Sequence, residues 1–389
     1  MRTFGKWLGR GLVALILAAV VIGVWKREDL MRLWAVNSLF SESRIVGNFS
    51  HMDRAFLTTP VKRGALPESE LPKGPDAELP AGVDQWIRDR SVTSLLVMKN
   101  GKIVHESYHL GTTAQDRRIS WSLAKSYLSA LFGTLVADGT IASLDEPVTT
   151  YAPSLKGSAY DGATIRNVLN MASGVTFDED YLDYNSDINR MGRVVALGGR
   201  LDDFAAGLTE RFTAPGTQWQ YVSIDTHVIG MVIRGATGRS VPDLLSERIM
   251  APLGMEQEAY YITDGAGVAF VLGGLNITTR DYARFALMIQ QDGRYNGAQV
   301  VPKAWIEDST AASAPTAPGQ IGYGYQWWIP AGGPPGEVLG RGIYGQYLYI
   351  DRVKGVVIVV TAADRGFRNP GVNDANIAMM RAIAQGIEE

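Results

Sequence analysis

Ser122-Leu-Ala-Lys125 sets a hydroxyl and an amine three residues apart. On a helix such positions share a face, so the amine can approach the hydroxyl and accept its proton. A serine hydroxyl is a weak nucleophile until a base takes that proton. A lysine serves as that base only where desolvation brings its pKa towards neutrality. A serine in the first turn of a helix also carries a backbone N–H with no intrahelical acceptor, available to a developing oxyanion. The chemistry this set could perform is acyl transfer through an acyl-enzyme. Taken alone, the spacing reads more readily as a helix cap beside a solvated lysine. Placement changes that reading, because the pair follows a hairpin, opens an apolar helix and has polar partners downstream.

Tyr221-Val-Ser223 follows Pro215-Gly216 and precedes an apolar helical stretch. A phenol near the lysine can relay a proton to a leaving group, with Ser223 assisting; the plainer reading of Tyr221 is a packed core aromatic. Gly342-Ile343-Tyr344-Gly345-Gln346 sets glycines at the mouth of a strand, where a ligand can approach the backbone and an N–H can complete an oxyanion hole; the plainer reading is a turn or bulge. Asp178-Glu179-Asp180-Tyr181 is an acidic, tyrosine-bearing loop that can line a pocket or simply sit in solvent. Tyr344, Trp327 and Trp328 can supply apolar walls, although alternation across a sheet would send one tryptophan of the pair into the core.

These groups need a body to position them. The chain has 389 residues, of which 46% are apolar and 20% charged, an ordinary globular composition. A net charge of -3 gives no nucleic-acid surface. Cysteine is absent, which excludes disulfides and thiol chemistry, and the 4 histidines are too scattered to suggest a metal. No cofactor is called for.

Hairpin strands are expected over 94–98 and 102–108 around Asn100-Gly101. Leu128, Leu131, Phe132 and Leu135 share one helical face. Further helices are expected over 164–172, 202–209, 224–236, 241–250 and 279–290, with Thr164 and Thr279 as caps. Strands return over 323–329, 346–351 and 356–361, followed by a helix over 374–386. The economical arrangement is α+β: an antiparallel sheet shared by the two ends of the body and flanked by helices, with a mostly helical lobe over about 145–290 and a cleft between them.

Residues 11–25 form an uncharged apolar run preceded by Arg2, Lys6 and Arg10 and bracketed by Trp7 and Trp25. This reads as a signal-anchor, or as a cleaved signal peptide, with the body exported. On the first reading the protein is anchored in the inner membrane with its catalytic domain periplasmic or outside the cell. On the second it is secreted or periplasmic. Residues 26–80 read as linker and extended arm, with five prolines between 60 and 80, and the catalytic domain as 81–389.

Over about residues 90–385 the sequence resembles the serine β-lactamase-like superfamily, on the side of class C β-lactamases, family VIII carboxylesterases and DD-peptidases. The resemblance rests on a series in order: Ser122-x-x-Lys125, Leu144-Asp-Glu-Pro-Val148, Thr164 to Gly174, Pro215-Gly216 with Tyr221-x-Ser223, Ala251 to Met255, Gly273 to Asp281, and Gly340 to Asp351. Within the superfamily it is most similar to the 6-aminohexanoate-dimer (nylon-oligomer) hydrolase group. The resemblance implies a β-lactamase/transpeptidase-like fold, with Ser122 acylated, Lys125 as general base and Tyr221 as proton relay. It implies Ile343 as the second oxyanion N–H, Tyr181 over the leaving group, and Glu179 and Ser223 near the substrate; the residue reading itself adds Trp327, Tyr344 and Gly345 as candidate substrate contacts. The superfamily's Lys-Thr-Gly motif is replaced by Arg341-Gly342-Ile343, without a lysine. Small esters or linear amides are therefore expected over β-lactams or peptidoglycan stem peptides, which remain the alternative.

Overall fold

The structure is a computed structural model. It describes residues 2–25 and 27–387, with the side chains of 2–6, 8–10, 14, 19, 22, 28–30 and 33 also outside the description. Its main sheet has seven strands in the order Lys102–Tyr108, Val92–Lys99, Val356–Ala362, Gln346–Asp351, Glu337–Gly342, Trp328–Ile329 and Gly322–Tyr323, antiparallel throughout. Val92–Lys99 lies beside Val356–Ala362, so the two ends of the body close one sheet. Asn100 and Gly101 both take positive φ, as a tight hairpin demands.

The central strands are apolar on both faces because both faces are covered. Leu95 and Val97 pack under the helices Val83–Asp89 and Val372–Gly386, whereas Leu96 and Met98 point into the larger core against Ala124–Ala137 and Thr279–Gln290. The helix Ala124–Ala137 is almost wholly buried. On its far side stands the helical lobe, in which Ser223–Thr237 packs against it and against Ile165–Leu169.

Several local expectations are revised. The strand expected over 323–329 is a tight hairpin, Gly322–Tyr323 paired with Trp328–Ile329, in which Gln326 takes a φ of 68°. The helix at 279–290 is capped by Thr278, whose side chain accepts from Asp281 N, while the Thr279 hydroxyl donates to Ser94. The helices Asp187–Ala196 and Lys303–Ser309 were not anticipated. Nor was a second sheet of Leu57–Val61, Ala259–Thr263, Leu275–Ile277 and Arg118–Ile119. Residues 26–80 hold more structure than a linker: Leu39, Ile45, Phe49 and Met52 are buried and Leu57–Val61 is an edge strand. Proline spacing is a local signal, and the partner of that strand lies 200 residues away.

The anchor or signal segment forms the helix Arg2–Trp25. Most of its first ten side chains lie outside the described residues. Among the described residues no helix is long and apolar enough to cross a membrane, so the expected transmembrane element is not part of the described fold.

Candidate active site

Ser122 sits in a 3-10 turn, Trp121–Leu123, that runs directly into the helix Ala124–Ala137. Trp121, just before it, is held at a φ of 43°. A non-glycine residue in that region stores about 1–3 kcal/mol of strain and persists only where packing over-determines it. Here the packing is an aromatic cluster of Trp121 with Phe40, Phe49 and Tyr344.

Lys125 lies one turn on, 1% exposed. Its Nζ donates to Ser122 Oγ at 3.1 Å, to Ser223 Oγ at 3.4 Å and to the Leu272 carbonyl at 2.7 Å. Burial lowers its pKa to about 7, opposed by the charges of Glu179 and Asp225. Such an amine is substantially unprotonated near neutrality and aimed at a hydroxyl. Tyr221 stands across from it, its ring 5.5 Å from the amine and stacked on Trp328 at 5.0 Å. Burial and Glu179 push the phenol pKa up, while hydrogen bonding with Ser122 and Ser223 pulls it down.

Glu179 is bound by the protein itself. One carboxylate oxygen accepts from Ser223 N at 3.0 Å; the other accepts from the Ser223 hydroxyl and, at 2.5 Å, from Tyr181 OH. Burial raises its pKa, and Lys125, Ser223 and Tyr181 lower it. It therefore orients Ser223 and Tyr181 beside the lysine.

The strand Glu337–Gly342 delivers Ile343 to the same place. A Cβ on Gly342 would lie 2.7 Å from the Ser120 carbonyl and 3.1 Å from Ser122 N, so this approach requires glycine. Ser122 and Ile343 each lie in a short 3-10 turn, where N–H groups lack intrahelical acceptors. The Gln346 side chain pins the second turn, donating to the carbonyls of Ile343, Tyr344 and Ala362.

Two chambers meet here, and Ser122, Tyr181 and Ile343 line both. One, about 710 Å³, is the more polar of the two and holds Tyr221, Glu179, Arg341, Trp328 and Gly345. The other, about 470 Å³, is mostly apolar.

Of the expected site residues, Ser122, Lys125, Tyr221, Ser223, Glu179, Tyr181, Ile343 and Gly345 come together. Trp327 does not: it is 1% exposed and stacked parallel to Phe285 in the core, and its neighbour Trp328 faces the chamber. Tyr344, at a φ of 59°, packs between Phe40 and Phe367 as a support of the turn. The sequence reading missed Asp225, fully buried and accepting from Tyr160 and Ser173, its pKa raised by burial to about 8. An acid inside the apolar run after Ser223 was its only signal. Nor did any local motif mark Val36, Asn37, Leu39 and Phe40 of the N-terminal arm, which line the apolar chamber.

A buried lysine hydrogen-bonded to a serine at a helix start, with the strand Glu337–Gly342 brought against that serine in an α+β fold, is the arrangement of a serine acyl hydrolase. Residues 83–379 match the Beta-lactamase family, and the chain belongs to it. It is 31% identical over 291 residues to 6-aminohexanoate-dimer hydrolase of Paenarthrobacter ureafaciens, covering 71% of this chain and 74% of that one. It is 28% identical over 203 residues to esterase EstB of Burkholderia gladioli, covering 46% and 50%. A Bacillus anthracis structure named for 6-aminohexanoate-dimer hydrolase superposes with a TM-score of 0.80 at 26% identity, over 90% of this chain and 96% of that one. The chain is a serine hydrolase of the esterase and amidase type.

Proposed function

We propose that this enzyme cleaves small carboxylic esters or linear amides through an acyl-enzyme on Ser122. The Ser122 oxygen bonds to the substrate carbonyl carbon as the Lys125 amine takes its proton. The N–H groups of Ser122 and Ile343 hold the oxyanion. The proton passes through Tyr221, with Ser223 alongside, to the departing alcohol or amine, and the carbonyl–heteroatom bond breaks. Water then loses a proton to Lys125 and bonds to the acyl carbon, the acyl–Oγ bond breaks as Lys125 returns that proton to Ser122 Oγ, and the acid leaves. The observation carrying this reading is the 3.1 Å contact between a buried, low-pKa Lys125 amine and Ser122 Oγ.

The test is a panel of p-nitrophenyl ester, linear amide and β-lactam substrates, read by intact mass. Wild type is expected to gain a transient acyl adduct on Ser122 from esters or amides, and Ser122→Ala none while remaining folded. Full turnover by Ser122→Ala ends the reading. Nitrocefin hydrolysis faster than ester turnover would move the substrate class to β-lactams.

We also infer membrane attachment or export through the N-terminal segment. The helix Arg2–Trp25 leaves Leu12, Leu15, Val21 and Val24 exposed, an apolar surface that water does not favour. Fractionation of the full chain is expected to place it in the membrane, or outside the cytoplasm with a shortened N-terminus. A soluble cytosolic protein with an intact N-terminus would end this inference.

A further inference from the structure

The two chambers at Ser122 differ in the groups they can offer a substrate. Tyr221 lines the polar chamber and not the apolar one. If Tyr221 hands a proton to the leaving group, that group departs into the polar chamber and the acyl substituent lies on the other side of the carbonyl. The apolar chamber is walled by Leu39, Phe40, Phe56, Met191, Val195 and Leu272. Among the described residues it holds no carboxylate, its one unpartnered buried polar atom is the Trp121 indole N–H, and its amides and guanidinium are engaged or face solvent. Asn189 donates to the carbonyls of Asp180, Tyr181 and Asp183; Arg193 donates to the Tyr184 carbonyl and covers the Tyr184 ring at 4.0 Å; Asn37 faces solvent. A cationic acyl group entering here would lose water and find no carboxylate among the lining residues. At the mouth, Leu182 is 80% exposed.

We propose that the apolar chamber binds an aliphatic acyl chain, with Val36, Leu39 and Phe40 of the N-terminal arm forming part of its wall. This deepens the acyl-enzyme reading and rests on it. Each methylene moved from water into the chamber favours the complex by about three- to fourfold. The relative's named substrate carries an amine on its acyl part, and this chamber would disfavour that group.

Gly192 lies on the helix Asp187–Ala196 and lines the chamber, and a Cβ there would meet nothing within 4 Å. Gly192→Phe therefore fills the chamber from a position that tolerates a side chain. The experiment compares kcat/KM for p-nitrophenyl acetate, butyrate and octanoate in wild type, Gly192→Phe and Leu182→Asp. Wild type is expected to gain about tenfold or more from acetate to octanoate. Gly192→Phe is expected to cut the octanoate-to-acetate ratio by about tenfold. Leu182→Asp, changed at an exposed position, is expected to raise KM for octanoate more than for acetate. A wild-type profile that falls steadily with chain length overturns the proposal, as does an unchanged ratio in both variants. Each outcome is read as the octanoate-to-acetate ratio within one protein, so a general loss of turnover does not imitate it. Absence of any acyl adduct on Ser122 would instead overturn the acyl-enzyme reading beneath it.

Discussion

Lys125 carries the pH behaviour of the site. Burial lowers the amine to about pKa 7, so its free form is present above that pH and is lost as pH falls through it. Ester kcat/KM is therefore expected to drop about tenfold per pH unit below neutrality and to level off above it. A stopped-flow profile that stays flat between about pH 5 and pH 8 would remove Lys125 from the base role. Ser122, Lys125 and Tyr221 could be picked out of the sequence as candidates because helical spacing and nearby turn residues are local properties, but their convergence required the fold. The division of labour between Trp327 and Trp328 was not, because the turn at Gln326 decides which ring faces the chamber.

At the level of elements, the site is a meeting of one helix start and one strand end. The strand Glu337–Gly342 approaches Ser122 so closely that Gly342 has no room for a methyl group. Gly342→Ala is expected to push Ile343 N–H off the oxyanion position and lower kcat by about a hundredfold, the scale of one lost oxyanion donor. Circular dichroism and melting should show a folded protein. A variant with wild-type kcat would mean that Ile343 is not a donor. The hairpin at Asn100-Gly101 and the cap at Thr164 followed from their own residues. The cap at Thr278 and the hairpin at 322–329 depended on neighbours instead, since Thr279 spends its hydroxyl on Ser94 of a distant strand.

Across the whole molecule, the arm before residue 81 is fastened to the body by Arg284. This guanidinium is buried and bonds Asp281, Glu68 and the Ser69 carbonyl, joining arm and helix Thr279–Gln290. Removing it leaves Asp281 buried with its charge poorly compensated. Arg284→Met is expected to destabilise the protein by about 3–5 kcal/mol in denaturant titration. A loss below about 1 kcal/mol would show that the strand Leu57–Val61, the buried arm residues and the other arm hydrogen bonds hold it without Arg284.

The Ser-x-x-Lys, Tyr-x-Ser and Gly-Ile-Tyr-Gly-Gln runs, in order with the hairpin and helix periodicities and read with the family resemblance they carry, indicated an α+β serine hydrolase. Their information is carried by residues a turn or a strand apart, within reach of short-range geometry. Tertiary structure alone decided that Lys125 is dry enough to act as a base, because the atoms that bury it come from Ser223 and Leu272. It alone converted a proline-rich arm into an edge strand and chamber wall. It also divided the space around Ser122 into a polar and an apolar side. Desolvation and shape are sums over contacts between distant segments, and no stretch of sequence contains them.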